Sequence, residues 1–260
     1  MKKLILVPLI FFNSLASAEP LTKPQERSVE KIIAVIKTKD PHTISQVIDY
    51  PLKREIPLKD IANQTEFKKR FTEVFDEKLL RTIANSDLKQ WQQFGWRGIS
   101  LNDVGIWVND VSTDTDTQHK TAKIFAINYS TQIEKKLRQK IIDEDKRKLH
   151  PSLQKFSAPE LKLKTNDYLI RIDQLGKDQY RYAAWKGHQD QSKKPDLVLK
   201  NGKVEMGGSG GDHQFVFKNG AYHYIVHRSD IGTEEDTDAH LIVQKNEQDI
   251  LNQSAQLVDY

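Results

Sequence analysis

The sequence predicts an α+β fold whose second half is an antiparallel β-barrel or sandwich of about eight strands. Three observations predict it. Apolar residues recur at helical spacing in the first half of the 260-residue chain, and strand-like runs separated by turn signals fill the second half. Between the halves lies the segment HPSLQKFSAPE, whose prolines and serines are typical of a domain boundary.

Two amphipathic patterns open the first half. One follows Pro24, which suits the first turn of a helix, and its apolar face is formed by Val29, Ile32, Ile33 and Ile36. The other runs through residues 65–86 and repeats the spacing with Phe67, Phe71, Val74 and Phe75. Each pattern predicts a helix with one face in the core.

After these two patterns, the spacing of apolar residues changes from that of a helix to that of a strand. The stretches WRGISLNDVGIWVNDV and KTAKIFAINYS have the β-branched and aromatic content of strands. Thr131 and Glu134 form a capping box that opens a basic helix, whose apolar stripe consists of Ile133, Leu137 and Ile141. Acidic and basic residues are interleaved along this helix, so its remaining surface is predicted to be a solvated face.

The second half contains two Asn-Gly pairs between strand-like runs, which is the pattern of a two-residue hairpin loop. In LVLKNGKVEM, this loop places Leu199 opposite Val204. In FVFKNGAYHY, it places Phe217 opposite Tyr222, and Phe215 opposite Tyr224. Both predicted hairpins bury one face.

The first residues have the pattern of an export signal. Lys2 and Lys3 precede the apolar run LILVPLIFF, and Ala16-Ser17-Ala18 matches the small residues that signal peptidase cleaves. Cleavage there makes Glu19 the first residue of the mature chain, and no later apolar stretch is long enough to span a membrane. We therefore expect an exported protein located in a bacterial periplasm.

Four segments follow from these patterns. They are a signal peptide at 1–18, an α+β domain at 19–149, a linker at 150–162 and an antiparallel β domain at 163–260.

Composition excludes several classes of function. The chain has no cysteine, which excludes disulfides, thiol nucleophiles and cysteine-ligated metals. The net charge of +4 includes two lysines of the signal, so the mature chain is close to neutral and no nucleic-acid partner is predicted. Two acidic tracts could hold a hard cation, but neither has the glycine and the terminal glutamate of a calcium-binding loop; they are DTDTQH, with Asp114 and Asp116, and TEEDTDAH, with Glu234, Glu235, Asp236 and Asp238. Exposed turns explain both tracts, and no cofactor-binding loop is found, so neither a cofactor nor a metal is predicted.

One stretch matches the G-x-S-x-G pattern of many hydrolases, with Ser209 at its centre in MGGSGGDHQFVFKN. A nucleophile elbow requires a strand that turns directly into a helix, whereas the residues after Ser209 are predicted to form a strand. The sequence therefore favours a flexible loop between strands, and no catalytic residue is predicted.

Two sets of side chains are candidate binding residues. An aromatic cluster with polar neighbours predicts a pocket lined by Trp96, Arg97, Asp103 and Trp107. The glycine-rich loop predicts a surface for a partner, formed by Ser209, Asp212, His213 and His227. The inferred register places His227 opposite Asp212 and next to His213.

Two resemblances extend these expectations. The helices followed by the strand pair GWRGISLNDVGIWV over residues 24–130 resemble the NTF2-like cone fold of periplasmic proteins from Gram-negative bacteria, which implies a pocket. The stretches YRYAAWKG, KPDLVLKNGKVEM and FKNGAYHYIV resemble the β modules of periplasmic inhibitors and immunity proteins. This second resemblance implies a protein or cell-wall partner.

Two functions are compatible with these features. The first is a non-enzymatic periplasmic binding protein, such as an inhibitor or immunity protein acting on a cell-wall-directed enzyme or toxin. The alternative is an envelope hydrolase or isomerase that uses the NTF2-like pocket or Ser209. The sequence favours the first, because the one nucleophile motif lies in the wrong structural context.

Overall fold

The computed structural model describes residues 19–101, 104–109, 122–187, 189–207, 213–228 and 239–260, with Trp96 described by its backbone alone. These residues form two compact units. The first contains the described residues up to Lys53 together with Asp60–Glu134, and the second contains Arg54–Lys59 and Lys135–Tyr260.

The first unit begins with the predicted amphipathic helix, α1 (Lys23–Lys37), which has Pro24 in its first turn. Its buried face contains the four predicted apolar residues Val29, Ile32, Ile33 and Ile36. A short helix, α2 (Pro41–Ser45), follows, and the Asp40 side chain accepts a hydrogen bond from the backbone N–H of Thr43 at its start. The first predicted helix is therefore confirmed.

The second predicted helix is wrong as a single element. Residues 64–84 form three short helices, namely α3 (Gln64–Lys69), α4 (Phe71–Val74) and α5 (Glu77–Ala84). Arg70 ends α3 with a non-helical backbone, and its guanidinium binds both Glu66 and Glu73. Asp76 starts α5 by accepting the N–H of Leu79. These local side-chain bonds compete with a continuous helix.

A four-stranded antiparallel sheet completes the first unit, in the order β1 (Trp91–Gln93), β2 (Ile99–Leu101), β3 (Ile106–Val108) and β4 (Ile124–Ile127). Gly98 precedes β2 with φ of 91°, and a Cβ there would lie 2.5 Å from the carbonyl oxygen of Val108. This glycine permits the close approach of β2 to β3. The predicted strands are confirmed, while the NTF2-like cone stays a prediction.

Helix α6 (Gln132–Lys148) begins after Thr131, whose hydroxyl accepts the backbone N–H of Glu134 as the capping box predicts. The predicted apolar stripe is wrong, because Ile133 is 50% exposed whereas Ile142 is buried. Glu134 and Asp145 are buried as well. The buried face is thus displaced around the helix, since hydrogen-bonded carboxylates occupy positions on it.

The second unit is built on a closed antiparallel barrel, which confirms the predicted barrel and the α+β class. Its strands in the described residues are β5 (Ala158–Lys164), β6 (Tyr168–Gly176), β7 (Gln179–Lys186), β8 (Leu197–Met206), β9 (His213–Asn219), β10 (Tyr222–Arg228), β11 (Ala239–Lys245) and β12 (Gln248–Leu257). Each pairs with its neighbours in chain order, and β12 pairs with β5 to close the barrel.

Side chains fill the barrel interior. They are mainly aliphatic and aromatic, and include Ile170, Ile172, Tyr182, Phe215, Phe217, Val226 and Leu241. The outer face of β6 and β7 is also buried, against a cluster that contains Ile142 of α6, Leu153 and Phe156. Strands covered on both faces lose the alternation of buried and exposed residues, and β6 and β7 show this pattern.

The predicted hairpin at Asn201-Gly202 is wrong. Both residues lie inside the continuous strand β8, and the register with β7 shifts between Tyr180, which pairs with Gly202, and Tyr182, which pairs with Leu199. Asn201 has a left-handed backbone with φ of 61°. The same positive φ that suits a hairpin loop also suits a β-bulge, which explains the error.

The second predicted hairpin is confirmed in place and corrected in register. Strands β9 and β10 are antiparallel neighbours, but Tyr224 lies opposite Phe217 and Tyr222 lies opposite Asn219. The loop is therefore Gly220-Ala221, one residue later than predicted, and every pairing moves by two residues. The same residues still face the interior because the side-chain period of a strand is two.

No helix of the described residues combines the length and the hydrophobicity that crossing a membrane requires.

Candidate functional site

The predicted aromatic pocket is described only in part. Trp96 and Arg97 lie in a short 3-10 helix, Gly95–Arg97, and Arg97 is exposed. Trp107 lies on β3, and its ring centroid is 5.5 Å from that of Phe94. Asp103 lies outside the described residues. The contact that the structure adds is with Phe94, which the sequence candidates did not include.

The predicted loop surface is also described in part, since Ser209 and Asp212 lie outside the described residues. His213 begins β9, and its ring centroid is 5.4 Å from that of Phe215. His227 lies on β10 opposite Gln214 on one side and His240 on the other. The predicted pairing of His227 with Asp212 is therefore wrong, because the register of this hairpin differs by two residues from the predicted one.

The strands that flank the glycine-rich loop pair directly with each other. Met206 at the end of β8 lies opposite His213 at the start of β9. The predicted strands on either side of Ser209 are thus confirmed, whereas Ser209 itself lies outside the described residues. Within the described part of the chain, no group of three or more histidine, aspartate or glutamate side chains is arranged to hold a metal ion.

The structure adds a cavity that the sequence did not indicate. It lies on the second unit and has a volume of about 560 Å³, within the range of small-molecule sites. Its lining residues are Ser152, Lys155, Phe156, Ser157, Leu175, Arg181 and Lys200. We call these residues the basic cavity, because three of them are cationic and none is acidic.

Arg181 is the buried cation of the basic cavity. It lies on β7 between the inward-facing Tyr180 and Tyr182, so strand alternation places it on the outer face of the barrel. Its side chain is only 3% exposed, and its Nη2 donates to Asp173 Oδ2 at 2.5 Å. A buried guanidinium requires such a partner, since an unpaired charge in the interior is costly.

Arg181 also fixes the segment that forms the rim of the cavity. Its Nη2 donates to the Leu153 carbonyl at 2.6 Å, and its Nη1 donates to the Lys155 carbonyl at 3.2 Å. The Nε of Arg181 is buried and has no hydrogen-bond partner among the described residues. The guanidinium therefore holds the backbone of Lys155 in place at the rim of the cavity.

A second buried arginine anchors this arrangement. Arg171 on β6 is fully buried, and it donates through Nε to Asp173 at 2.7 Å and through Nη2 to Asp145 at 2.6 Å. Burial lowers the pKa of Arg171, but the charges and hydrogen bonds of its neighbours, chiefly Asp173 and also Asp145, together raise the pKa above its ordinary value. Asp145 and Asp173 thus balance Arg171 and Arg181, and we call these four residues the ionic network.

The two lysines of the basic cavity have no such balance. Lys155 follows the 3-10 helix Pro151–Leu153, and Lys200 lies on β8 next to the bulge at Asn201. Both side chains are exposed, and in the described structure neither forms an ion pair with an acidic side chain. The basic cavity therefore carries about two uncompensated positive charges.

The remaining lining residues are held by local hydrogen bonds. The N–H and hydroxyl of Ser157 both donate to the Gln174 carbonyl at 2.8 Å. The Ser152 hydroxyl lies 2.8 Å from Nδ1 of His150. Phe156 is buried, and the guanidinium carbon of Arg171 lies 4.9 Å from its ring centroid. The cavity thus combines fixed hydroxyls, an apolar wall and a positive potential, which suits an anionic ligand.

The sequence carries only a weak signal for this site. The basic cavity is assembled from residues 152–157, Leu175, Arg181 and Lys200, which are far apart along the chain. A sequence pattern does not reveal which strands become neighbours. The informative feature is Arg181 within the otherwise apolar and aromatic run YRYAAW, because such a run indicates a strand covered on both faces.

A second surface cavity of about the same volume lies on the first unit, and is lined by Asn63, Gln64, Thr65, Glu66 and Lys69. Its polar groups are used locally, since Asn63 caps α3 and Glu66 pairs with Arg70. The basic cavity is therefore the stronger candidate.

Comparisons of the chain with protein-family models, with curated protein sequences and with solved structures found no match.

Proposed function

We propose that this chain is an exported binding protein of the bacterial envelope, and that its barrel unit binds an anionic partner at the basic cavity. The observation that carries this proposal is the pair of lysines without ion-pair partners, Lys155 and Lys200, beside the buried Arg181. A cluster of cations with no acidic side chain in its lining attracts and orients a negatively charged group. The signal pattern at 1–18 supports the envelope as the place of action.

The structure of the barrel favours recognition on its outside. Its interior is occupied by packed side chains, such as Tyr182 and Phe217, whose ring centroids are 5.5 Å apart. The ionic network and α6 bury the outer face of β6 and β7, so Arg181 and Lys155 are held on a rigid support. The backbone of this surface is therefore ordered before binding, and mainly the exposed lysine side chains lose conformational entropy when a partner binds.

Inhibition of a cell-wall-directed enzyme or toxin is the specific form of this proposal that the β-module resemblance suggests. In that case the partner presents an acidic group to the basic cavity. Charge complementarity of this kind mainly raises the association rate and the specificity of a complex.

Capture from periplasmic extract tests the proposal. The mature chain, residues 19–260, serves as bait beside the double variant Lys155→Gln/Lys200→Gln, in which both changes affect exposed side chains. The control is Lys193→Gln/Lys194→Gln, which removes the same charge from exposed positions outside the cavity. We expect the wild type and the control to recover the same envelope component and the cavity variant to lose it.

The captured component also distinguishes the specific form from the general one. Recovery of an envelope hydrolase or toxin whose activity falls on binding supports an inhibitor or immunity protein. Equal recovery by the cavity variant and the wild type would contradict the proposed role of the basic cavity.

A further inference from the structure

We infer that the ligand of the basic cavity carries a phosphate monoester on a small uncharged group, such as a sugar or a glycerol unit. This inference rests on the proposed function, because it names the class of anion that the cavity binds.

The bonding of Arg181 disfavours a carboxylate. A carboxylate is typically bound by an arginine through two parallel N–H donors. Here Nη2 already donates to Leu153 and Asp173, and Nη1 donates to the Lys155 carbonyl. Because both parallel donor pairs of a guanidinium include Nη2, Arg181 has no such pair left for a ligand, and its charge is balanced by Asp173.

The two lysines suit a tetrahedral anion. Lys155 and Lys200 are ammonium point charges without a planar donor pattern, and lysine commonly binds phosphate in this way. The hydroxyls of Ser152 and Ser157 also lie on the lining, but they are already engaged with His150 and with the Gln174 carbonyl. Ammonium groups, each with three donors and no fixed plane, match the terminal oxygens of a phosphoryl group better than the two coplanar oxygens of a carboxylate.

The charge of the cavity matches that of a phosphate monoester. Because Asp145 and Asp173 balance the two arginines, the surplus of the site is the pair Lys155 and Lys200. A phosphate monoester carries about −1.5 to −2 at pH 7. A carboxylate carries only one negative charge and would leave one lysine uncompensated.

The volume and the apolar wall indicate the rest of the ligand. A cavity of about 560 Å³ is much larger than a bare phosphate ion needs. Phe156 and Leu175 form part of the lining and offer apolar contact beside the cations. A sugar ring or a glycerol chain attached to the phosphoryl group fills this space.

Calorimetric titration of the mature chain with glucose 6-phosphate, glucuronate, inorganic phosphate and inorganic sulfate tests the inference. We expect glucose 6-phosphate to bind at least about tenfold more tightly than glucuronate, because the two lysines interact with both charges of its tetrahedral phosphoryl group. We expect Lys155→Gln/Lys200→Gln to lose at least about tenfold in affinity, and Lys193→Gln/Lys194→Gln to match the wild type. Arg181 is left unchanged, since it also holds the fold.

The pH dependence gives an independent measurement. The second pKa of a phosphate monoester is about 6, so lowering the pH from about 7.5 to about 5 removes most of the dianion and weakens binding about tenfold. Inorganic sulfate stays a dianion over this range and reports titration of the protein. The charged and titratable groups at or next to the site are Lys155, Lys200, Arg181, Asp173 and His150.

A third measurement distinguishes a lipid phosphate from the phosphate of a soluble ligand. Vesicles of phosphatidylcholine with and without phosphatidic acid present a lipid monoester to the same cavity. Preferential binding to phosphatidic acid assigns a lipid headgroup, and binding to glucose 6-phosphate alone assigns a soluble ligand. Both results support the monoester.

Equal affinity for glucuronate and glucose 6-phosphate would overturn the inference and leave the anion-binding function standing. Affinity for glucose 6-phosphate that is unaffected by Lys155→Gln/Lys200→Gln would also overturn it, because the site would then lie elsewhere. Failure of the capture experiment, in contrast, removes the proposed function itself.

Discussion

The ring of Phe217 occupies the space that a side chain at Gly202 would need, since a Cβ on Gly202 would lie 2.1 Å from Phe217 Cε1. We expect Gly202→Ala to lower the free energy of unfolding by about 1–3 kcal/mol, because overpacking forces the ring or the strand to move. Urea denaturation measures this loss. In the matched control Gly176→Ala, the Cβ would meet Gln179 at 3.6 Å, an ordinary contact, and stability should stay within about 0.5 kcal/mol.

A double variant identifies the ring as the cause. In a Phe217→Leu background, Gly202→Ala should cost clearly less than in the wild type, because Cε1 and Cζ, the two nearest clashing atoms, are gone. An equal cost in both backgrounds would show that the backbone of β8, and not Phe217, requires glycine at this position.

Removal of one carboxylate from the ionic network should destabilise the barrel unit strongly. Asp173 is fully buried and binds both Arg171 and Arg181. Breaking a buried ion pair from one side typically costs about 3–5 kcal/mol, so we expect a loss of this size for Asp173→Asn in urea denaturation. The control is Asp259→Asn, because the pair of Asp259 with Lys59 is 67% exposed on both sides and contributes little. Similar effects of the two variants would contradict the role of the network.

Glu160 should make stability depend on pH. Burial raises the pKa of its carboxyl above the ordinary value of 4.5, and the carboxylates of Glu55 and Asp173 act in the same direction. The folded protein therefore binds this proton more readily than the unfolded chain. The stabilisation is complete below the ordinary pKa and is lost as the pH rises through the folded-state pKa.

The variant Glu160→Gln resembles the protonated form at every pH. We expect it to be more stable than the wild type at neutral pH and equally stable below the ordinary pKa of 4.5. Denaturation at both pH values measures the difference. Glu30→Gln, a change at an exposed position of α1, is the control and should leave the pH dependence of the unfolding free energy unchanged. A variant that is less stable than the wild type at neutral pH would refute the prediction.

Asp76 joins two parts of the first unit. Its side chain caps α5 through the N–H of Leu79 at 2.8 Å and accepts the hydroxyl of Tyr129 at 2.9 Å. We expect Asp76→Ala to cost about 1 kcal/mol for the cap and about 1 kcal/mol more for the hydroxyl bond. Tyr129→Phe should lose only the contribution of the hydroxyl bond to the free energy of unfolding. If both variants lose the same free energy in thermal unfolding, the cap contributes nothing.

The β half of the fold was predictable because its information is local. Alternation and turn residues predicted about eight strands, and the described residues contain an eight-stranded closed barrel. The count agrees although one strand was missed and one was divided. Strand β5 is the missed strand, since most of it lies in the predicted linker at 150–162, which is wrong at that end. The Asn201-Gly202 pair divides β8 in the prediction, because a positive φ occurs in both bulges and loops.

The candidate site was less predictable, for a physical reason. Arg181, Lys155 and Lys200 are brought together by strand order and by hydrogen bonds to backbone carbonyls, which no short pattern encodes. Similarly, Asp145 in a charged helix looked solvated, and only the docking of that helix on β6 buries it against Arg171. Buried ion pairs of this kind depend on tertiary contacts between distant segments.

One pair of neighbouring strands in the barrel, β5 and β12, is joined by few backbone contacts, and we call this junction the seam. Strand β12 meets β5 through two residue pairs, Gln256 with Lys164 and Leu257 with Leu163, and the N–H of Val258 adds a bond to Lys162 at 2.9 Å. In comparison, seven pairs join β10 to β11. Local unfolding should therefore open the barrel first between β5 and β12. This opening would expose two strand edges without hydrogen-bond partners, so fibril-like self-association would start at this junction.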